Sequence, residues 1–176
     1  MAAPGQTTET AEKTPEKHQT SSSRRGTCAK SRRVVSDPPI EAASRVFDAY
    51  HGSLLALTAL CCLYIVQLLV VDVAGIKHRH TPGTPVTADP GDPLFRASRA
   101  HANTNENFAL FSAALLAAIM IGVQPVWVDR LSWAFVFARV IHSLAYWADV
   151  RWLRSAAFVL GLVATVGLIG LSVAAG

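Results

Sequence analysis

The chain has 176 residues, is 51% hydrophobic, and carries a formal net charge of +4. Its apolar residues are concentrated in the last three quarters, a distribution that excludes an evenly patterned soluble domain and favours membrane-spanning helices. The excess positive charge lacks interleaved aromatic residues, so nucleic acid is not an expected partner. Three cysteines, Cys28 and the adjacent Cys61 and Cys62, supply neither a disulfide framework nor a metal-ligand spacing, and no metal is expected.

Residues 1–44 are rich in Ser, Thr, Lys, Arg, Glu and Pro and cannot bury enough apolar surface to fold alone. They read as a disordered basic tail. The run Arg24, Arg25, Lys30, Arg32 and Arg33 suits solvent or anionic headgroups. The segment also lacks the apolar stretch of a secretory signal, so the first spanning helix is expected to serve as the insertion signal.

Four apolar runs follow, at 46–76, 97–123, 126–148 and 153–175, each near the roughly 20 residues needed to cross the hydrocarbon core. They predict an all-α integral membrane four-helix domain over 45–176. In the first run Gln67 is the only amide, and Cys61 and Cys62 read as small apolar packing groups. Between runs one and two, four prolines in HTPGTPVTADPGDPLF forbid a continuous helix and predict a surface loop. Gln124-Pro125 breaks the chain between runs two and three, making them an antiparallel hairpin, and ADVRW makes a second short connection. Trp127, Trp133, Trp147 and Trp152 fall near helix ends, where interfacial anchors belong. A stripe of Ala157, Gly161, Ala164, Gly167 and Gly170 on the last helix permits close packing.

Four crossings place the start of helix two, the end of helix three and the start of helix four at one membrane face. The polar residues lie there. Arg99, Asn103 and Glu106 share one face of helix two; Arg139, His142 and Tyr146 share one face of helix three. Glu106 and Arg139 both lie roughly 12–13 Å inside their helix ends, so an ion pair between them is the expected way to offset two buried charges. Arg99, Arg154 and Ser155, with the amide and hydroxyl donors beside them, suit a ligand bearing carboxylates. Arg96 and Arg151, taken singly, read as arginines snorkelling to headgroups, and Asn105 and Asn107 as solvent or headgroup contacts. Counting short loops places the polar face toward the cytoplasm, while Arg32, Arg33 and Arg45 next to helix one argue for the opposite orientation.

RAHANTNEN, then ARVIHSLAYW, then LRS, resemble the MAPEG superfamily of membrane-associated proteins in eicosanoid and glutathione metabolism. The nearest arrangement is its prostaglandin E synthase and microsomal glutathione transferase branch. Ala102 and Phe158 depart from it, standing where that branch has an arginine and a tyrosine. The resemblance implies a homotrimer in a membrane of bacterial inner or endoplasmic reticulum type, with glutathione held in a polar cleft between subunits. It implies glutathione contacts at Arg99, Asn103, Glu106, His142 and Tyr146, and thiolate stabilisation by Arg154 with Ser155 as the rival. The implied activity is transfer to, reduction of, or isomerisation of a lipophilic small-molecule electrophile or hydroperoxide. The alternative is a non-catalytic protein of the same fold whose polar cluster serves subunit assembly.

Overall fold

The computed structural model describes residues 39–81 and 83–176, and among these every regular element is helical: α1 (Pro39–Ala49), α2 (His51–Lys77), α3 (Pro93–Ile121), α4 (Pro125–Trp147) and α5 (Arg151–Ala175). The expected tail of 1–44 lies largely outside the described residues. Its last part, from residue 39, is the short helix α1.

Helices α2 to α5 form the four-helix membrane bundle. With 23 to 29 residues each they extend roughly 35–43 Å, enough to cross a bilayer. By length and composition α2, α3 and α5 are apolar enough to span. The fourth, α4, is long enough but carries Asp129, Arg130 and Arg139, and it packs against each of the other three helices. Arg139 is buried among them and Asp129 accepts from Ser53, whereas Arg130 is exposed beside the Trp127 ring.

Local chemistry sets the helix ends. Asp92 caps α3, its Oδ1 accepting the Leu94 N–H at 3.0 Å, and Pro93 occupies the first turn, where its missing N–H costs nothing. Helix α3 therefore begins earlier than the apolar pattern suggests. It ends at Gly122, whose φ of 81° only glycine adopts freely; Val123 N–H then reaches back to the Ala118 carbonyl at 3.0 Å, and Pro125 starts α4. This turn is pinned to the start of α2. The buried Tyr50 hydroxyl donates to the Val123 carbonyl at 2.6 Å, and burial raises its pKa above the ordinary 10.0, which keeps the donor protonated. Beside it, Ser53 donates to the Asp129 carboxylate, which also lies against Gly52. A carboxylate at the first turn of α2 is favoured by the unpaired N–H groups there.

Apolar packing fills the end nearest this turn: Leu60, Phe111, Leu115, Val128, Phe135 and Leu168 are essentially inaccessible, and the Phe111 and Phe135 rings stack at 3.9 Å. Cys61 and Cys62 do not join it. Both are exposed on the outside of α2, because the buried face of that helix runs through Ser53, Ala56, Leu60 and Gln67.

Above the apolar core lies a buried polar layer. The Gln67 side-chain amide donates to Thr104 Oγ1 at 3.0 Å and to Ser143 Oγ; those hydroxyls in turn donate to the Ala100 and Arg139 carbonyls. Three helices are thus joined where lipid offers no competing water. The small-residue stripe divides along α5: Ala157, Gly161 and Ala164 are buried, whereas Gly170 faces open space. At Gly161 an added Cβ would meet Arg139 Nη2 at 2.5 Å, so the absence of a side chain makes room for the guanidinium. Gly161→Ala is expected to destabilise the detergent-solubilised protein by about 1–3 kcal/mol, the usual cost of overpacking, while Gly170→Ala, with open space around it, does not lower the thermal midpoint.

Candidate active site

The start of α3 and the connection between α4 and α5 meet at one end of the bundle and enclose a cleft of about 340 Å³, lined by Pro90, Phe95, Arg96, Arg99, Tyr146, Asp149, Arg151 and Arg154. Four arginines face one carboxylate. The charge balance is strongly cationic, and the first turn of α5 adds unpaired backbone N–H groups at the same end.

Each wall has a local cause. Arg96 does not snorkel as expected: its Nη1 donates to the Pro90 carbonyl at 3.0 Å and the Gly91 carbonyl at 2.9 Å, tying α3 to the preceding loop. Arg151 likewise lines the cleft. Arg154 lies with its Cζ 4.4 Å from the centroid of the Tyr146 ring, a cation–π contact that orders both groups. Asp149 adopts a φ of 53° at the end of α4, where Val150 N–H closes back onto the Ala145 carbonyl at 2.8 Å. Aspartate tolerates this left-handed conformation better than most side chains. Sequence reasoning left Asp149 in a connecting segment; the signal available was an aspartate immediately after a helical pattern.

Beneath the cleft is Arg139, which is 0% exposed. Its Nη1 donates to Asn103 Oδ1 at 2.7 Å, while Nε and Nη2 have no hydrogen-bond partner among the described residues. The guanidinium is flanked by the rings of Phe135 and Phe158, with Cζ at 5.1 and 5.7 Å from their centroids. His142 is buried beside it, its ring 5.0 Å from Tyr146 and 6.3 Å from Phe158. Phe158, where the resembled branch has tyrosine, thus supplies an aromatic face and no hydroxyl.

The predicted residues therefore divide into three groups. Arg99, Tyr146 and Arg154 are brought together at the cleft. Asn103, Arg139 and His142 form the packed layer below it. Glu106 and Ser155 are exposed, Ser155 Oγ donating to the Arg151 carbonyl at 3.3 Å. The expected Glu106–Arg139 ion pair does not form: Asn103, three residues earlier on α3, occupies that place, and Glu106 points outward. Nor are Asn105 and Asn107 simple headgroup contacts. Asn105 Oδ1 accepts from the Tyr64 hydroxyl at 3.1 Å, and Asn107 Nδ2 donates to the Asn103 carbonyl at 2.8 Å. The His101 ring, on another face, lies tilted against Tyr64 with centroids 4.6 Å apart. Among the described residues no group of three metal-ligating side chains converges.

A bundle of membrane-spanning helices with a cationic cleft at one end defines a helical membrane protein equipped to hold an anionic ligand. Comparison with known families sharpens this. The sequence pattern of the MAPEG family matches residues 53–174, covering all four helices of the bundle, and the chain belongs to that family. No curated protein matches the chain.

Because Asn103 rather than Glu106 satisfies the buried guanidinium, the two positions are expected to respond differently. Asn103→Leu should cost about 1.5–3 kcal/mol in detergent unfolding, the range for a hydrogen bond to a charged group, whereas Glu106→Gln should stay within about 0.5 kcal/mol of the parent.

Proposed function

We propose that the chain is a membrane-bound, glutathione-dependent enzyme acting as a transferase, peroxidase or isomerase on a lipophilic electrophile or hydroperoxide. The observation that carries this reading is the charge pattern of the cleft. Arg96, Arg99, Arg151 and Arg154 beside a single Asp149 complement a small peptide bearing two carboxylates and one ammonium group. Family membership supports the same ligand. Ala102 contributes no charge where the resembled branch has an arginine, but Arg96 and Arg151 keep the cleft cationic.

Bound there, glutathione would supply a thiol as nucleophile or reductant. The chain's contribution is electrostatic. Arg154, held over the Tyr146 ring in the first turn of α5, places a guanidinium and a helix N-terminus at one point, and both lower the pKa of a nearby thiol. Ser155 adds an exposed hydroxyl, and Arg99 a cation for a carboxylate. Asn103, Arg139 and His142 act beneath these groups by fixing the helices that carry Arg99 and Tyr146. At the same end of the bundle an apolar groove of about 530 Å³ along Val66, Leu69, Val70, Val73 and Ala74 suits the lipophilic reactant. Assembly as a homotrimer, with Glu106 of each subunit covered by a neighbour, would remove an exposed carboxylate from lipid.

A second reading is a non-catalytic scaffold, favoured by the commitment of Asn103 and Arg139 to one another in the packed layer. Thermal unfolding of the purified protein separates the two. Under the enzyme reading, glutathione at about a hundred times its dissociation constant stabilises the protein by about 2.7 kcal/mol, and thiolate absorbance appears near neutral pH. Arg154→Ala abolishes the thiolate signal and weakens the stabilisation. Absence of both effects at millimolar glutathione supports the scaffold.

A further inference from the structure

We propose that α1 is an interfacial helix that lies on an anionic lipid surface, at the membrane face bearing the α3–α4 turn. Viewed down its axis at 3.6 residues per turn, Ile40, Ala43, Val46 and Phe47 fall within about 120° of arc, while Glu41, Ser44, Arg45 and Asp48 occupy another sector. Among the described residues the apolar sector has no protein cover: Ile40 is 82% exposed and Phe47 61%. In water such a helix of 11 residues is too short to persist on its own propensity, so its apolar face requires a surface to bury it.

The position of α1 identifies that surface. The backbone ladder is interrupted after Tyr50, where Tyr50 N–H still bonds the Val46 carbonyl but the next bond across the junction is Leu54 N–H to Tyr50. The spanning helix α2 begins at His51, and the Tyr50 hydroxyl is fixed to the α3–α4 turn. Nearby, Trp127 is half-exposed with Arg130 stacked 5.2 Å from its ring, a pairing suited to the headgroup level. The junction thus holds the end of α1 at the bilayer boundary. Segregated faces and charges on the polar side match a helix lying in the interface, and eleven residues are too few to cross.

Charge selects the lipid. Residues 24–33 contain Arg24, Arg25, Lys30, Arg32 and Arg33 and no acidic residue, a cluster of the size that anionic headgroups attract. A basic run joined to an apolar-faced helix supplies the two weak signals that together hold a segment on a membrane.

The test uses the full chain with its three native cysteines changed to serine, reconstituted in nanodiscs of phosphatidylcholine alone or mixed with phosphatidylglycerol. Nitroxide labels at Phe47→Cys and Asp48→Cys report access to oxygen and to an aqueous nickel chelate. The 47 label is expected to favour oxygen and the 48 label nickel, with a severalfold larger contrast in the anionic discs. Changing the five basic residues of 24–33 to glutamine should remove that dependence on lipid charge. Equal aqueous access of both labels would overturn the proposal. So would a 47 label shielded from both reagents, which would mean a protein partner, or a contrast identical in the two lipids. Symmetric discs make the outcome independent of which compartment the face meets.

Discussion

A guanidinium buried among helices in a membrane is costly to leave uncovered, and Arg139 is held by one hydrogen bond and close packing rather than by an opposite charge. One of its nitrogens reaches the Asn103 amide on α3, two phenylalanine rings flank it, and α5 comes close only because position 161 has no side chain. Three helices are therefore fixed relative to one another by one side chain of α4. The consequence extends upward, since those helices carry Arg99, Tyr146 and Arg154 to the cleft. The geometry of the cleft depends on the packing beneath it.

The same arrangement explains what could be read from the sequence. Apolar run lengths and the Gln124-Pro125 break locate the four spanning helices, because crossing a bilayer is a constraint on length and polarity that needs no knowledge of neighbours. Parity then brings the polar ends together, and Arg99, Tyr146 and Arg154 do share a cleft. Which side chain meets which was less legible. Equal depth and opposite charge favoured Glu106 for Arg139, but helix rotation decides the matter: Asn103 faces inward and Glu106 outward, though both lie on the broad polar side of α3. Periodicity gives a face to within about one residue in a turn, and here one turn separates the two candidates.

Other features escaped for equally physical reasons. The buried Gln67 looked like a lone amide because Thr104 and Ser143, its partners, are unremarkable in sequence and meet it only in the bundle. The helix α1 was hidden because its apolar residues are few and its residues merge with a polar segment; segregation around a helix, not hydropathy along the chain, marks it. Arg96 and Arg151 resemble ordinary interfacial arginines until the loop carbonyls of Pro90 and Gly91 and the short α4–α5 connection give them a common wall.

The two ends of the bundle are finished differently. At the α3–α4 turn the left-handed residue is Gly122, which accepts that conformation without strain, and Tyr50 and Asp129 tie the neighbouring helix to it. At the cleft end the left-handed non-glycine positions among the described residues are Arg79 and Asp149; this conformation costs an ordinary side chain about 1–2 kcal/mol and an aspartate less. Mechanically the bundle has a clamped end and a sprung end. Fraying should begin where the strain is stored, so the cleft end is expected to loosen before the end tied by Tyr50 and Asp129.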